Sequence, residues 1–146
     1  MTTNEATEKA IELAKRFEGC RLTAYRDGAG KLTIGYGHTG PDVTIHTVWT
    51  QAQAEANLLE KMATCIHQAA VASPSLVQYI DKLVAIGDFI YNLGYGAYIN
   101  SPLKDHIDAH DWQGAAVHIK LYIHAGGKVE EGLVKRRAVE AALLTA

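Results

Sequence analysis

The chain has 146 residues, which fits one domain by the usual range of roughly 100–200 residues. Hydrophobic residues make up 48% of the chain and charged residues 21%, a balance that excludes extensive intrinsic disorder. The formal net charge is −2, which argues against a protein held on nucleic acid mainly by contacts to phosphate.

The first predicted element is a helix over residues 2–18, where apolar side chains recur every three or four positions. Thr2 and Glu5 have the spacing of a capping box at its start. Two β-type runs follow, at 24–26 and 31–36. They flank a short turn that contains glycine, and this pattern predicts a hairpin.

The rest of the chain is predicted to be helical, with breaks at proline and glycine. Thr50 and Gln53 form a second capping box. The predicted helices cover about 50–72, about 76–93, a short segment from Ser101-Pro102, a segment from Asp111 and residues 130–145, with a turn at 125–127.

The order of these elements predicts an α+β fold class, because one helix is followed by a small β region and then by many helices. No repeat, low-complexity tract or linker divides the chain. We therefore expect one domain over 1–146, with a β lobe at about 20–48 and a helical lobe formed by 1–18 and 50–146.

Three oxygen-bearing side chains stand where the first helix meets the β lobe: Glu18, Asp27 and Thr33. Two carboxyl groups across a cleft are the minimum equipment for cleaving a glycosidic bond, because one donates a proton and the other orients or activates the nucleophile. Each residue also has a structural interpretation, as a surface helix residue, a turn former and a β-former. Alternation along 31–36 puts Thr33 on the face opposite the apolar side chains.

The sequence around these residues resembles a known family. Residues 17–27 read FEGCRLTAYRD and residues 33–39 read TIGYGHT. This pattern resembles the phage-type lysozymes, the endolysins of glycoside hydrolase family 24, whose catalytic signature is Glu, eight residues, Asp, five residues, Thr. Stretches near 89–103 and 125–140 extend the resemblance to about 8–144.

The resemblance implies a lysozyme-like fold with an interlobe cleft, and a hydrolase that cleaves the β-1,4 bond between N-acetylmuramic acid and N-acetylglucosamine in peptidoglycan. In this family pattern Glu18 is the general acid, Asp27 holds a water on the opposite sugar face, and Thr33 hydrogen-bonds that water. Family members are held to invert the anomeric configuration, which calls for carboxyl groups roughly 6.5–9.5 Å apart. No cofactor is implied.

The resemblance also indicates substrate-binding candidates: His38, Thr39, Tyr91 and Ser101. We expect His38 to act as a structural hydrogen-bonding residue rather than as a base. Tyr91 could equally be a core aromatic residue, and Ser101 could be a helix N-cap.

Two adjacent arginines, Arg136 and Arg137, lie in the last predicted helix. One of them resembles the family arginine that approaches the catalytic glutamate, and a local basic patch is the other interpretation. Such an arginine favours the charged form of Glu18, whereas burial opposes that form.

Histidine and cysteine patterns point to no metal. His106 and His110 have the i, i+4 spacing of metal ligands, but two histidines fall short of the three protein ligands of a usual catalytic zinc. Cys20 and Cys65 are too few for a disulfide framework, so we expect two reduced thiols. A redox effect of Cys20 on activity is a minor hypothesis.

Two alternatives stay open at this point. A lytic transglycosylase would need the acid but not the water-holding pair, so the presence of Asp27 and Thr33 favours hydrolysis. A non-catalytic cell-wall-binding domain of the same fold would not need the three residues Glu18, Asp27 and Thr33 together.

The expected partners are peptidoglycan glycan strands, with no nucleic acid and no stable membrane insertion, and the expected state is a monomer. No apolar run approaches the roughly 20 residues of a membrane span. We therefore expect no signal-anchor segment of the kind that some relatives carry. The resemblance implies accumulation in the host cytoplasm until a holin permeabilises the membrane without binding the chain directly, and then action in the periplasm at the cell wall.

Overall fold

The computed structural model describes residues 2–146, and only the backbone of Thr2, so the predicted cap by the Thr2 side chain lies outside the described part. The helices in this range are α1 (Thr2–Glu18), α2 (Gln51–Ala72), α3 (Ile80–Leu93), α4 (Tyr95–Ile99), α5 (Pro102–Asp108), α6 (Trp112–Ile119) and α7 (Glu131–Leu144). The strands are β1 (Arg21–Arg26), β2 (Leu32–Gly35), β3 (His38–Thr39), β4 (His124–Ala125) and β5 (Lys128–Val129). The α+β fold class is confirmed, with helices dominating.

The predicted hairpin is confirmed as part of a small antiparallel sheet with the strand order β1-β2-β3. Thr33 in β2 stands opposite Thr39 in β3. A bridge between Thr23 and Val48 ties β1 to the segment that leads into α2. The sheet is therefore attached to the helical part of the chain close to the start of α2.

Both faces of β2 are covered, which alternation along the sequence did not predict. Thr33 is 4% exposed and Ile34 is 0% exposed. α2 packs against β2. Alternation tells which side chains share a face of a strand, but the tertiary packing decides whether a face meets water.

Local capping chemistry begins several helices where the sequence predicts. At α2, the Thr50 hydroxyl accepts a hydrogen bond from the Gln53 N–H at 3.1 Å, and the Gln53 side chain accepts one from the Thr50 N–H at 2.8 Å. Ser101 caps α5 and Asp111 caps α6 through their side chains. These boundaries follow from residues a few positions apart, which is why the sequence predicts them.

Three segments differ from the prediction. The helix predicted from about residue 76 begins at Ile80, because Pro74–Gln78 forms a 3-10 turn that buries Leu76. The helix α4, at Tyr95–Ile99, was not predicted, since five residues are too few to show a helical period. The turn predicted at 125–127 is present, but the two short strands β4 and β5 that it joins were not predicted.

The core centres on α3, which packs against α1, α2 and α7. Because α3 is enclosed by three helices, every residue from Lys82 to Ile90 is buried, including the charged Asp88. One cluster of buried apolar side chains joins all the long helices, and it supports the proposal of a single domain. Within residues 2–146, no helix combines the length and the apolar character needed to span a membrane.

Candidate active site

Glu18 is the last residue of α1, where the chain turns toward the sheet. Gly19 follows with φ of +62°, a conformation that ends a helix readily only at glycine. The Glu18 side chain is 20% exposed. Its Oε2 accepts a hydrogen bond from Arg136 Nη1 at 2.8 Å. The helix end thus presents a partly exposed carboxyl group that is already oriented by a cation.

The sequence predicted that either Arg136 or Arg137 approaches Glu18, and in the structure it is Arg136. It is buried, and its guanidinium is divided between two carboxylates. Nε and Nη2 donate to the two oxygens of Asp88 at 2.9 and 2.8 Å, which leaves Nη1 for Glu18. Although burial opposes the charged forms of Asp88 and Arg136, their hydrogen bonds hold the pKa of Asp88 below its usual value and raise that of Arg136.

A second buried ion pair lies beside the first. Arg137 Nε is 2.7 Å from Glu140 Oε1, and its Nη2 donates to Asn92 Oδ1 at 2.7 Å. Burial, followed by the neighbouring Asp88, raises the pKa of Glu140 well above its usual value. The two pairs lie side by side between α3 and α7, and Asp88 fixes Arg136 under Glu18.

The other oxygen of Glu18 lies against the backbone of Gly37. A Cβ at Gly37 would lie 2.7 Å from Glu18 Oε1, closer than real Cβ atoms come to an oxygen. Gly37 also has φ of +85°, which side chains rarely adopt. The backbone conformation therefore favours glycine at this position, and a side chain here would displace the Glu18 carboxyl group.

Asp27 stands in the turn between β1 and β2 and is half-buried. Its Oδ1 accepts hydrogen bonds from the N–H groups of Ala29 and Lys31 at 2.9 and 2.8 Å. Both bonds use the same oxygen, so the turn does not use Oδ2. Asp27 is therefore a turn former, as the structural interpretation held, and still has a carboxylate oxygen for another partner.

Thr33 is buried in β2, and its hydroxyl donates to the Lys31 carbonyl at 2.9 Å. A hydroxyl that donates once keeps lone pairs that accept hydrogen bonds. Asp27 Oδ1 accepts from the N–H of this same Lys31. Lys31 thus links the predicted water-holding residues Asp27 and Thr33 through its backbone.

A cavity of about 450 Å³ opens beside Asp27. Its walls are the β1–β2 turn on one side and the β4–β5 turn on the other, with Asp27, Gly28, Ala29, Ala125 and Gly126 lining it. The volume is within the range of roughly 300–1,000 Å³ of ligand pockets. Asp27 is the ionisable side chain among these lining residues.

His38 is held as a structural hydrogen-bonding residue. Its Nε2 lies 3.1 Å from both carboxylate oxygens of Asp42, and its ring stacks on Trp49 with centroids 5.3 Å apart. The hydrogen bond with His38 keeps the pKa of Asp42 below its usual value. Thr39 is half-buried in β3, beside Thr33.

The other two predicted substrate contacts are engaged within the protein. The Tyr91 hydroxyl donates to the Tyr36 carbonyl at 2.6 Å, and Tyr91 also lines a groove of about 360 Å³ between α2 and α3. Ser101 is buried, donates to the Tyr98 carbonyl at 2.7 Å and caps α5. The structure gives Ser101 the capping role, and its contact with a sugar stays a prediction.

Sequence reasoning missed Asp88, Glu140 and Tyr36. The signal for Asp88 was a single charged residue inside the apolar run LVAIGDFI of residues 83–90. Buried charged residues are almost always paired, so such a residue predicts a partner of opposite charge. Glu140 and Tyr36 gave no comparable signal, since an acidic residue in the last helix and an alternating tyrosine in a strand are ordinary.

The histidines that suggested a metal have other contacts. His106 Nδ1 lies 2.8 Å from Asp111 Oδ2, and His110 stacks on Trp112 with centroids 5.1 Å apart. Across residues 2–146, no group of three or more His, Cys, Asp or Glu side chains is arranged to hold a metal ion.

Cys20 and Cys65 are both free, and Cys65 is expected to react slowly. Burial raises the pKa of Cys65 from 9.0 to about 11. Because the thiolate is the reactive form, this lowers its fraction near neutral pH about 100-fold. In a Cys20→Ser variant, Ellman's reagent at pH 8 should label folded protein at least tenfold more slowly than the same protein in guanidinium chloride. Equal rates in the two states would contradict the burial of Cys65.

A family model and individual relatives point to the same protein family. Residues 15–140 match the family model described as phage lysozyme. An endolysin of Acyrthosiphon pisum secondary endosymbiont phage 1 is 38% identical over 143 residues, which cover 94% of this chain and 95% of that relative.

Two solved structures have the same fold. An endolysin from Escherichia coli O157:H7 phage FAHEc1 superposes with a TM-score of 0.80 at 28% identity, covering 93% of this chain and 90% of that one. The muramidase domain of SpmX from Asticaccaulis excentricus also gives a TM-score of 0.80, at 24% identity over 94% of this chain and 95% of that one, and this likeness supports the fold alone. The family match over most of the chain, with a relative of this identity and coverage, shows that the chain belongs to the phage lysozyme family.

Proposed function

We propose that this chain is an endolysin, a lysozyme that hydrolyses the β-1,4 bond between N-acetylmuramic acid and N-acetylglucosamine in bacterial peptidoglycan during host-cell lysis. Membership of the phage lysozyme family and the names of the relatives support an enzyme of the muramidase type.

The observation that carries the proposal is the position of Asp27. It lies in the wall of a cavity between two turns, and its Oδ2 is not used by the turn that it forms. A carboxylate placed in this way can hold a water and offset positive charge on a sugar ring. Glu18 supplies a second carboxyl group, partly exposed and oriented by Arg136.

In the proposed mechanism, Glu18 in its protonated form donates its proton to the leaving glycosidic oxygen. Asp27 is ionised before the reaction, holds a water on the opposite face of the sugar and offsets the oxocarbenium-like charge. It takes up the proton that this water loses when the water oxygen bonds to the anomeric carbon. Thr33 accepts a hydrogen bond from that water through the lone pairs that its bond to Lys31 leaves. Inversion of the anomeric carbon follows if the two carboxyl groups lie roughly 6.5–9.5 Å apart, with the water between them.

The substrate contacts belong to the same proposal. Thr39 is next to Thr33 across the strand pair, and His38 is fixed beside it by Asp42 and Trp49. We expect Thr39 to touch the sugar and His38 to hold this edge of the site in place. Tyr91 and Ser101 stay in the predicted set, with the internal hydrogen bonds described above.

The products decide between hydrolysis and the transglycosylase alternative. A transglycosylase closes a 1,6-anhydro ring because the muramic acid hydroxyl, and not water, attacks the anomeric carbon. We expect digestion of purified peptidoglycan to release fragments with ordinary reducing ends, read by mass spectrometry. Fragments that are lighter by one water at the muramic acid end would instead establish the transglycosylase.

The route to the wall is a further part of the proposal. We expect the chain to accumulate as a monomer in the host cytoplasm and to reach the periplasm after a holin permeabilises the membrane, without direct binding to that holin. The names of the phage endolysin relatives support action on the cell wall.

A further inference from the structure

Tyr36 follows β2 and is anchored at two points, one on its side chain and one on its main chain. Its hydroxyl donates to Glu55 Oε2 at 2.5 Å and accepts from Gln51 Nε2 at 3.0 Å. Its carbonyl accepts from the Tyr91 hydroxyl at 2.6 Å. Tyr36 is 7% exposed, so water competes little for these bonds. The two anchors come from α2 and α3.

The anchoring carboxylate is itself fixed. Lys15 on α1 donates to Glu55 Oε1 at 2.6 Å, and Gln51 donates to Glu55 Oε2 at 2.8 Å. The hydrogen bond from Lys15, followed by that from Tyr36, holds the pKa of Glu55 below its usual value. Glu55 is therefore an ionised acceptor at neutral pH, and a charged acceptor makes the stronger hydrogen bond to a hydroxyl.

Gly37, the residue after Tyr36, lies against Glu18, the proposed acid. Gly37 lies so close to Glu18 that a Cβ at Gly37 would be 2.7 Å from Glu18 Oε1. Arg136 holds the opposite oxygen, Oε2. The Glu18 carboxyl group is thus confined between a cation from α7 and the backbone next to Tyr36.

We propose that Tyr36 is a positioning residue for Glu18: Glu55 and Tyr91 hold Tyr36 from the helical part of the chain, and Tyr36 holds the Gly37 backbone against the Glu18 carboxyl group. The inference rests on the proposed role of Glu18 as the acid. It gives the Tyr91 hydroxyl an internal function, so the predicted contact of Tyr91 with the sugar falls to its ring. Small displacements matter here, because a misplacement of about 1 Å can cost on the order of 10²-fold in rate.

Two variants test the proposal by removing one hydroxyl each. Tyr36→Phe removes the bonds to Glu55 and Gln51, and Tyr91→Phe removes the bond to the Tyr36 carbonyl. With soluble, uncross-linked glycan strands as substrate, we expect kcat to fall about tenfold in each variant and KM to stay within about twofold. The ¹³C signal of the Glu18 carboxyl group, assigned with Glu18→Gln, should shift in both.

Tyr98→Phe is the matched control. It removes one buried hydroxyl, which is 2.7 Å from the Ser73 hydroxyl in the helical core. We expect it to lower the melting temperature as much as the test variants do, without changing kcat or the Glu18 signal. The same loss of kcat in Tyr98→Phe, or unchanged kcat in Tyr36→Phe, would overturn the proposal.

Two further outcomes separate this proposal from its alternatives. A rise in KM with unchanged kcat in Tyr91→Phe would make that hydroxyl a substrate contact and would overturn its positioning role. If Tyr36→Phe does not fold, Tyr91→Phe carries the test alone. A wild-type protein that does not cleave the glycan strands would refute the proposed function itself, and retained activity in Glu18→Gln would remove Glu18 as the acid. An inactive Glu18→Gln with a fully active Tyr36→Phe would refute only the role of Tyr36.

Discussion

Glu18→Gln is expected to fold and to lose lysis of chloroform-treated Gram-negative cells, with a rate lower by about 10²–10⁴, the usual contribution of general acid catalysis. Glutamine keeps the size of the side chain, and its amide oxygen can still accept from Arg136 Nη1. It carries no acidic proton for the leaving oxygen. The measurement is the fall in turbidity of the cell suspension, with circular dichroism to verify the fold.

Glu12→Gln is the control for this prediction. Glu12 lies in the same helix and is exposed, so this variant makes the same change in charge without touching the site. We expect its lytic rate to match the wild type. A Glu18→Gln protein that lyses cells nearly as fast as the wild type would remove Glu18 from the mechanism.

Asp88→Asn is expected to have the largest effect on stability. Asp88 is 0% exposed and accepts two hydrogen bonds from Arg136, so its loss leaves a buried cation without its main partner. Breaking a buried ion pair in this way typically costs 3–5 kcal/mol, or about 10 °C in melting temperature for a chain of this size. Thermal unfolding followed by circular dichroism measures it.

The loss of stability in Asp88→Asn should be smaller at acid pH than at neutral pH. Because the pKa of Asp88 is lower in the folded state than its usual value of 3.8, its contribution to stability is present above about pH 4 and is lost as the pH falls through the lowered value. The difference between wild type and Asp88→Asn should therefore shrink in acid. Asp105→Asn, which changes an exposed aspartate, should leave the melting temperature within about 1 °C. Equal melting temperatures of wild type and Asp88→Asn at pH 7 would contradict the buried ion pair.

The elements best predicted from the sequence are those that depend on neighbouring residues. The capping box at Thr50 and the turn that contains Asp27 use side chains within four positions of the backbone groups that they bond. The end of α1 at Glu18 depends on the next residue, Gly19, which has a positive φ. The three predicted catalytic residues also lie within one short stretch, so their spacing is visible in the sequence. The 3-10 turn before α3 was missed, because its five residues carry no period that distinguishes them from a helix.

The arrangement around Glu18 depends on residues far apart in the chain. Arg136 and Glu18 are separated by 118 positions, Arg136 and Asp88 by 48, and Tyr91 and Tyr36 by 55. The motif indicated that an arginine at 136 or 137 approaches the acid, but the two positions differ by about 100° around a helix, and only packing decides which one faces it. Arg136 reaches Glu18, while Arg137 pairs with Glu140.

The sequence by itself determined the α+β class, most helix starts and the family motif, because propensity, capping and periodicity act over one or two turns of chain. Only the tertiary structure decided that Thr33 is buried, that Asp88 holds the arginine of the site, and that Gly37 lies against Glu18 behind an anchored Tyr36. These facts depend on which surfaces of distant elements meet, and the free energy of that packing is shared among many residues rather than carried by any local pattern.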